Sequence, residues 1–300
     1  MIKRFLSYVE ITTKITSIFA FFMTLGYLFY IKQSLHWKAT LVFFVAMFLL
    51  DLATTAINNY IDTKTNTQIL QFSRKIALSI IAFLLAISAC LGLYLVYLTD
   101  VVILLLGVIC FGVGIFYTFG PIPISRLPFG EIFSGVFYGF FIPLIILYIN
   151  MPPGTYLYLG LSLDTITLEL SVIPFITLIL LSVAPVCTTA NIMLANNICD
   201  LEKDIPVKRY TLPYYLRHKS LYLFAGLYYC TYLATVVMVI FKIISPISLI
   251  SLLTIPLVQK NINIFFKEQD KQRTFIVAIK NYLLIMGSNT LLLFVSGLIK

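Results

Sequence analysis

SVIPFITLILLSVAPVCTTANIMLA, residues 171–195, is followed without a break by NNICDLEKD, residues 196–204. The first stretch carries no charged side chain. An α-helix needs about 20 predominantly apolar residues to cross a bilayer core. The run therefore reads as a membrane span ending where Asn196 opens a polar segment. Runs of the same kind lie near 15–31, 39–57, 76–98, 101–118, 129–149, 220–241, 243–258 and 281–299, with the slightest interruption at Lys242–Pro246.

The composition agrees: 300 residues, 60% hydrophobic and 11% charged, with a mean hydropathy of +1.00. That is the profile of a polytopic membrane protein. Backbone in lipid has to satisfy its own hydrogen bonds, so the expected fold is all-α, a bundle of about nine transmembrane helices. No Pro/Ser/Gly-rich linker divides the chain, and one domain over 1–300 is expected. Nine spans put the N-terminus and the loops near 58–75, 119–128, 196–219 and 259–280 on one side. Of the 21 Lys and Arg, only Lys32, Lys38, Lys242 and Lys300 fall on the other. The basic side is the cytosolic one, which places the N-terminus there. The net charge of +9 is thus a topology signal and an attraction to anionic lipid, not evidence for nucleic acid.

Lys3, Arg4, Glu10 and Lys14 interrupt the N-terminus, which does not resemble a cleaved signal. Cys90, Cys110, Cys187, Cys199 and Cys230 form no ligand spacing and read as small packing residues. The polar segment Asn261–Lys280 is expected to be a cytosolic connection with some helical character. Met151–Leu170, with Pro152, Pro153 and Gly154, is expected to be an external loop on the bundle surface.

The polar segment after residue 195 has a counterpart. Asn58-Asn59-Tyr60-Ile61-Asp62-Thr63-Lys64-Thr65-Asn66 and Asn196-Asn197-Ile198-Cys199-Asp200-Leu201-Glu202-Lys203-Asp204 share N-N-x-x-D-x-x-x-[N/D], each behind an apolar run. Asp51, Thr55, Asn58 and Asp62 are three or four residues apart and line one helical face, as do Asn196, Asp200 and Asp204. Asp51 lies within an apolar run, where an ionisable residue either bonds a neighbouring helix or faces a watery cavity. A hard cation such as Mg²⁺ binds oxygen ligands, typically one or two carboxylates plus substrate phosphates. Two oxygen ladders at helix ends therefore suit a diphosphate held through metal ions, with Lys64, Lys203, Lys208 and Arg209 adding positive charge. A third segment, Tyr117-Thr118-Phe119-Gly120-Pro121 leading to Arg126 and Gly130-Glu131, is turn-rich and on the same side. Tyr117 and Arg126 there are either pocket residues or an interface aromatic and a topology arginine.

These motifs resemble the UbiA superfamily of intramembrane aromatic prenyltransferases over essentially the whole chain. Within it the chain looks most like the MenA-like 1,4-dihydroxy-2-naphthoate polyprenyltransferases. The pieces that carry this are Val9-Glu10-Ile11-Thr12-Thr13-Lys14, Tyr117-Thr118-x-Gly120-Pro121 with Gly130-Glu131, and Asn196 through Asp204 followed by Lys208-Arg209-x-Thr211-Leu212. The resemblance implies Mg²⁺ held by Asn58, Asp62, Asp200 and Asp204, with Asp62, Asp200, Asp204 and Arg209 as the catalytic set. Asn58, Lys64, Asn196, Lys203, Lys208, Tyr117, Arg126 and Lys14 would bind substrate, Arg126 or Lys14 on an acceptor carboxylate. Arg209 stands where relatives have lysine in a G-K-x-T-L run, and Lys208 replaces the glycine. Asn59 and Asn66 are neutral where relatives often carry acids, and Gln68 stands where some carry Asp, so the first site is less anionic.

The implied reaction joins an allylic polyprenyl diphosphate to an aromatic acid within membrane lipid, most simply in the plasma membrane of a bacterium. Other acceptors, such as 4-hydroxybenzoate, haem B or a lipid phosphate, stay open. A transporter built around Asp51 fits less well, because both motifs lie on one side rather than at the midplane. The D-x-x-D-G-x-x-A-R signature of CDP-alcohol phosphotransferases is absent. Prenyl length and oligomeric state are not readable from the chain.

Overall fold

The computed structural model describes residues 1–64, 69–120 and 123–300; Asn66, Gln68 and Pro121 lie outside the described residues. The chain forms two compact units, Met1–Ile18 with His36–Arg126, and Phe19–Leu35 with Leu127–Lys300.

In the first unit a short helix α1 (Ile2–Tyr8) and a 3-10 turn (Ile11–Lys14) lead into the start of α2 (Ile15–Tyr30). Then follow α3 (Trp37–Asp62), α4 (Arg74–Leu98) and α5 (Val101–Phe116). The Ser88 hydroxyl donates to the Ala46 carbonyl at 2.7 Å, tying α4 to α3. Gly114 lets α5 approach α3, since a Cβ there would stand 3.1 Å from Thr54 Oγ1. Helix α5 starts on the Asp100 side chain, which accepts from the Val102 amide. Its 16 residues rise about 24 Å, short of the roughly 30 Å hydrocarbon core.

The second unit holds the rest of α2 and a span, Gly130–Asn150, built from α6 (Gly130–Val136), a π-helical turn (Phe137–Phe141) and α7 (Ile142–Asn150). Strands β1 (Leu157–Leu161) and β2 (Ile166–Leu170) then pair antiparallel, Leu157 opposite Leu170 and Gly160 opposite Thr167. Next comes α8 (Val172–Asp204), then α9 (Leu212–Leu216), α10 (Lys219–Ile240), α11 (Ile255–Lys267) and α12 (Ile276–Ile299). Helix α11 is entered through a 3-10 stretch, Pro246–Thr254.

Two helix irregularities meet in this unit. Pro185 interrupts the hydrogen-bond ladder of α8. The π turn packs against it, and a methyl group on Gly139 would overlap the Val186 backbone. Gly135 is nearly as close, with the Val186 carbonyl 2.8 Å from where a Cβ would sit. Phe224, Tyr228 and Phe265 fill the core beside α8, and the Asn191 amide donates to the Phe224 carbonyl at 2.9 Å.

Among the described residues eight helical segments are long and apolar enough to cross a membrane, and Val101–Phe116 is a shorter ninth. That matches the expected bundle, with three corrections. The segment 151–170, expected to be a loop, contains the β hairpin; alternating residues and a Ser162–Thr165 turn, whose side chains and backbone bond one another, let it pair with itself. The second Asn/Asp motif is helical throughout and the first from Asn58 to Asp62, rather than loop, because α3 runs to Asp62 and α8 to Asp204. Helix α11 reaches Lys267 and α12 starts at Ile276, which shortens the expected polar connection to a turn.

Candidate functional site

Helix α8 is 33 residues, about 50 Å at 1.5 Å per residue, so its last turns extend well past a hydrocarbon core of about 30 Å. Asn196, Asp200 and Asp204 occupy those turns one above another, and each is engaged by a cationic side chain. The Lys271 ammonium donates to Asp200 Oδ2 at 2.7 Å and also to Asn196 Oδ1. Arg209 Nε lies 3.6 Å from Asp204 Oδ2, and its amide donates to the Asp204 carbonyl at 3.0 Å. The chain turns back to make that approach through a 3-10 turn, Ile205–Val207, ending at Lys208 with φ 56°. A left-handed residue is where glycine is easiest, so a lysine at this turn holds a backbone conformation that side chains rarely adopt. Lys203 and Lys208 are both exposed at this end of the helix.

Behind the ladder lies a buried polar chain. Glu131, 3% exposed on the first turn of α6, accepts from the Asn197 amide at 2.8 Å. The Asn197 carbonyl oxygen in turn accepts from Arg209 Nη2 at 3.4 Å. Glu131 thus fixes which way the Asn197 amide points, and Asn197 offers its oxygen to the guanidinium beside Asp204.

Within the first unit, Asn58 and Asp62 are consecutive rungs on the last turns of α3. Asn58 Oδ1 is buried and has no hydrogen-bond partner among the described residues. Asn59 serves the packing of α1 instead. Its amide donates to the Tyr8 carbonyl at 2.8 Å, and the Tyr8 hydroxyl donates to the Ala56 carbonyl at 3.0 Å. Burial is the main influence that pushes the Tyr8 hydroxyl pKa up, Tyr60 adds to the rise and Arg74 opposes it, so the group stays a donor. A carboxylate could not replace Asn59, because it only accepts. The end of α3 is closed by Arg74, which donates to the Tyr60 and Thr63 carbonyls and lies over the Tyr60 ring. Lys64 is exposed, with its ammonium 4.9 Å from the same ring.

Lys14 is engaged within the protein. It is 1% exposed, and its ammonium donates to Asp51 Oδ1 at 2.7 Å, the Asp51 carbonyl at 3.0 Å and Thr55 Oγ1 at 2.5 Å. An ammonium has three donors, and all three are engaged on these acceptors. Asp51 Oδ2 accepts from Ser17 at 2.6 Å. The intramembrane acid is therefore half of a buried ion pair. Tyr117 is buried at the end of α5, where its carbonyl accepts from the Ser125 amide, and Arg126 is half-buried at the end of a 3-10 turn.

Lys271, Glu131 and Asn197 were not among the expected site residues. Glu131 and Asn197 stand inside the sequence motifs, a usable signal. Lys271 carries none, lying 71 residues from Asp200 in a basic stretch that topology alone explains.

The donors at each helix end, taken separately, suit a hard divalent cation. In the first unit Asn58 Oδ1 is a buried oxygen without a hydrogen-bond partner among the described residues, and in the second the Asn196–Asp200 oxygens already attract a cation in the form of Lys271. Among the described residues no three His, Cys, Asp or Glu side chains converge. A metal at either helix end would complete its shell with amide, water and substrate oxygens, as Mg²⁺ usually does.

The model of the UbiA prenyltransferase family matches residues 19–284. The chain is 28% identical over 236 residues to a 1,4-dihydroxy-2-naphthoate octaprenyltransferase of Bacillus subtilis (strain 168), covering 73% of this chain and 70% of that protein. Its fold is similar to that in a structural study of digeranylgeranylglyceryl phosphate synthase, with a TM-score of 0.67 and 18% identity over 100% of this chain and 99% of that one. A UbiA homologue from Aeropyrum pernix K1 gives 0.65 at 16% identity, covering 92% and 96%. A UbiA homologue from Archaeoglobus fulgidus bound to Cd²⁺ gives 0.63 at 14%, covering 99% and 98%.

Proposed function

We propose that this chain, which belongs to the UbiA prenyltransferase family, moves a polyprenyl group from an allylic polyprenyl diphosphate to 1,4-dihydroxy-2-naphthoate. A carbon–carbon bond forms at the ring, the diphosphate leaves, and the ring carboxyl departs as CO₂ to give demethylmenaquinol. The supporting observation is the α8 ladder: three oxygen-bearing side chains one turn apart, each already attracting a cationic side chain beyond the apolar part of the helix. The choice of acceptor rests on the likeness to the Bacillus subtilis protein.

In this reading Asp200 and Asp204, and separately Asn58 and Asp62, are ligands for Mg²⁺–diphosphate. Bound Mg²⁺ supplies Lewis-acid stabilisation of the charge that grows on the leaving diphosphate. Arg209, steadied by Asn197 and Asp204, meets the same charge with a guanidinium that matches phosphate geometry. Lys203, Lys208 and Lys64 are exposed and add positive potential where a diphosphate arrives. Arg126 is the acceptor-carboxylate residue, since Lys14 is committed to Asp51. The prenyl tail lies among apolar helix faces, and the dry surroundings limit capture of the allylic centre by water. The basic asymmetry of the loops supports a cytosolic N-terminus and cytosolic motifs, and the likeness to a Bacillus subtilis protein supports a bacterial plasma membrane.

Asp62→Ala and Asp200→Ala test the assignment. Each should abolish prenyl transfer while the protein remains in the membrane and keeps its unfolding transition. Full activity in both variants would end the metal–diphosphate reading of the motifs.

A further inference from the structure

Lys271 holds a position that the reaction as proposed does not explain. The turn that carries it is tightly built. Asp270 Oδ1 accepts from the Gln272 amide at 2.9 Å and the Arg273 amide at 2.8 Å. The Thr274 hydroxyl accepts from the Asp270 amide at 2.8 Å, and the Thr274 and Phe275 amides donate to the Asp270 carbonyl at 3.0 Å. The Gln269 side chain donates back to the Phe265 carbonyl at the end of α11. The backbone of residue 271 is thereby fixed, while its side chain is a four-carbon stem with one charge at the tip. That charge sits on Asp200 Oδ2 and Asn196 Oδ1 and lies 5.1 Å from the Phe275 ring. Lys271 is 35% exposed at its side chain and Asp200 21%, so the ammonium covers the carboxylate without being locked in.

We infer that Lys271 is a tethered competitor of the divalent cation for the Asn196–Asp200 oxygens, and that on metal binding its ammonium moves to the diphosphate. This rests on the reading of Asp200 as a metal ligand. An ammonium and a divalent cation cannot both sit close on one carboxylate oxygen, because like charges at contact repel strongly in a partly buried site. The displaced ammonium stays on its stem beside the same oxygens, where the diphosphate charge arrives with the metal. A point charge with three rotatable donors suits that exchange, whereas the fixed fork of an arginine suits it less. The side chain thus raises the metal concentration needed without diphosphate and lowers it with diphosphate, making the two ligands bind cooperatively.

The test uses the purified full-length protein in detergent, with Mn²⁺ as the metal probe, followed by electron paramagnetic resonance, and inorganic pyrophosphate added in a second series. Lys271→Met keeps the stem and removes the charge. It should bind Mn²⁺ about tenfold more tightly than the unaltered protein without pyrophosphate, the change expected when a competing charge-assisted bond is removed. In the presence of Mn²⁺ it should bind pyrophosphate several-fold more weakly, and Lys271→Arg should fall between. Unchanged or weaker Mn²⁺ binding in Lys271→Met, or unchanged pyrophosphate binding, overturns the proposal. Asp200→Asn separates the layers: if it weakens Mn²⁺ binding while Lys271→Met changes nothing, only the role of Lys271 fails. If Asp200→Asn leaves Mn²⁺ binding intact, the metal assignment falls and the role of Lys271 falls with it.

Discussion

Asp51→Ala should destabilise the fold far more than an ordinary single substitution, for reasons that can be followed atom by atom. In the native protein the Lys14 ammonium has three acceptors, Asp51 Oδ1, the Asp51 carbonyl and Thr55 Oγ1, and the Lys14 side chain is only 2% exposed. Alanine leaves the carbonyl and the hydroxyl in place and removes the countercharge. Breaking one partner out of a buried ion pair costs about 3–5 kcal/mol, because the remaining charge is uncompensated. Lys14→Met should cost a similar amount, since the Asp51 carboxylate would lose the ammonium and keep the 2.6 Å bond from the neutral Ser17 hydroxyl. The double variant Lys14→Met/Asp51→Leu has no charge to strand and should return to within about 1–2 kcal/mol of the native protein, as apolar replacements of buried pairs commonly do. Equilibrium unfolding in mixed micelles, followed by helical circular dichroism, measures all three, and the cycle isolates the coupling. Prenyl transfer by the double variant should persist, because neither residue is assigned to substrate. Single variants as stable as the native protein, or a double variant no better than either single one, would refute the argument. A double variant that folds well but has lost transfer would put Lys14 back among the substrate ligands.

Asn59→Asp should cost about 1–3 kcal/mol in the same unfolding assay, because it exchanges a donor to the Tyr8 carbonyl for a carboxylate facing it. Gly139→Ala should destabilise by at least about 1–3 kcal/mol or prevent folding, since the methyl group meets Val186 backbone rather than a side chain that can swing away. Glu131→Ala should lower kcat/KM for the prenyl diphosphate by about tenfold through misorientation of Asn197 and Arg209, an effect of the size seen for outer-shell partners of ligand groups. Glu131→Gln, whose carbonyl still accepts from Asn197, should recover most of that loss; equal loss in both variants would mean that the charge, not the orientation, matters.

The parts of the molecule legible in the chain are those that local pattern determines. A run such as 171–195 has one stable solution in a bilayer, and the ladder of Asn196, Asp200 and Asp204 follows from helical period alone. That both ladders are still helix, not loop, depends on how far α3 and α8 continue; Pro206 marks the end of α8 two residues after Asp204, whereas no glycine or proline follows Asp62 closely enough to mark the end of α3. The hairpin at 157–170 is hidden because its strands are short and two-sided, with exposed apolar residues such as Leu163 and Ile166. The roles of Lys14, Asn59 and Lys271 are hidden for another reason. Each is a contact between residues 37, 51 and 71 positions apart, respectively. A positive charge in a loop that topology already explains gives no hint that it has a specific partner. Asp51 is visible as costly, but its cost alone does not tell a buried pair from a watery path. Asn59 reads as a weakened acidic ligand, whereas its amide is a structural donor that an acid could not replace.

Membranes containing this protein, supplied with Mg²⁺, a long allylic diphosphate and 1,4-dihydroxy-2-naphthoate and analysed by mass spectrometry, give the decisive measurement. A prenylated, decarboxylated naphthoquinol and free diphosphate should form, and both should disappear when EDTA is added. Transfer that persists in EDTA, or prenylation of 4-hydroxybenzoate or a lipid phosphate with none of the naphthoate, would contradict the proposed reaction.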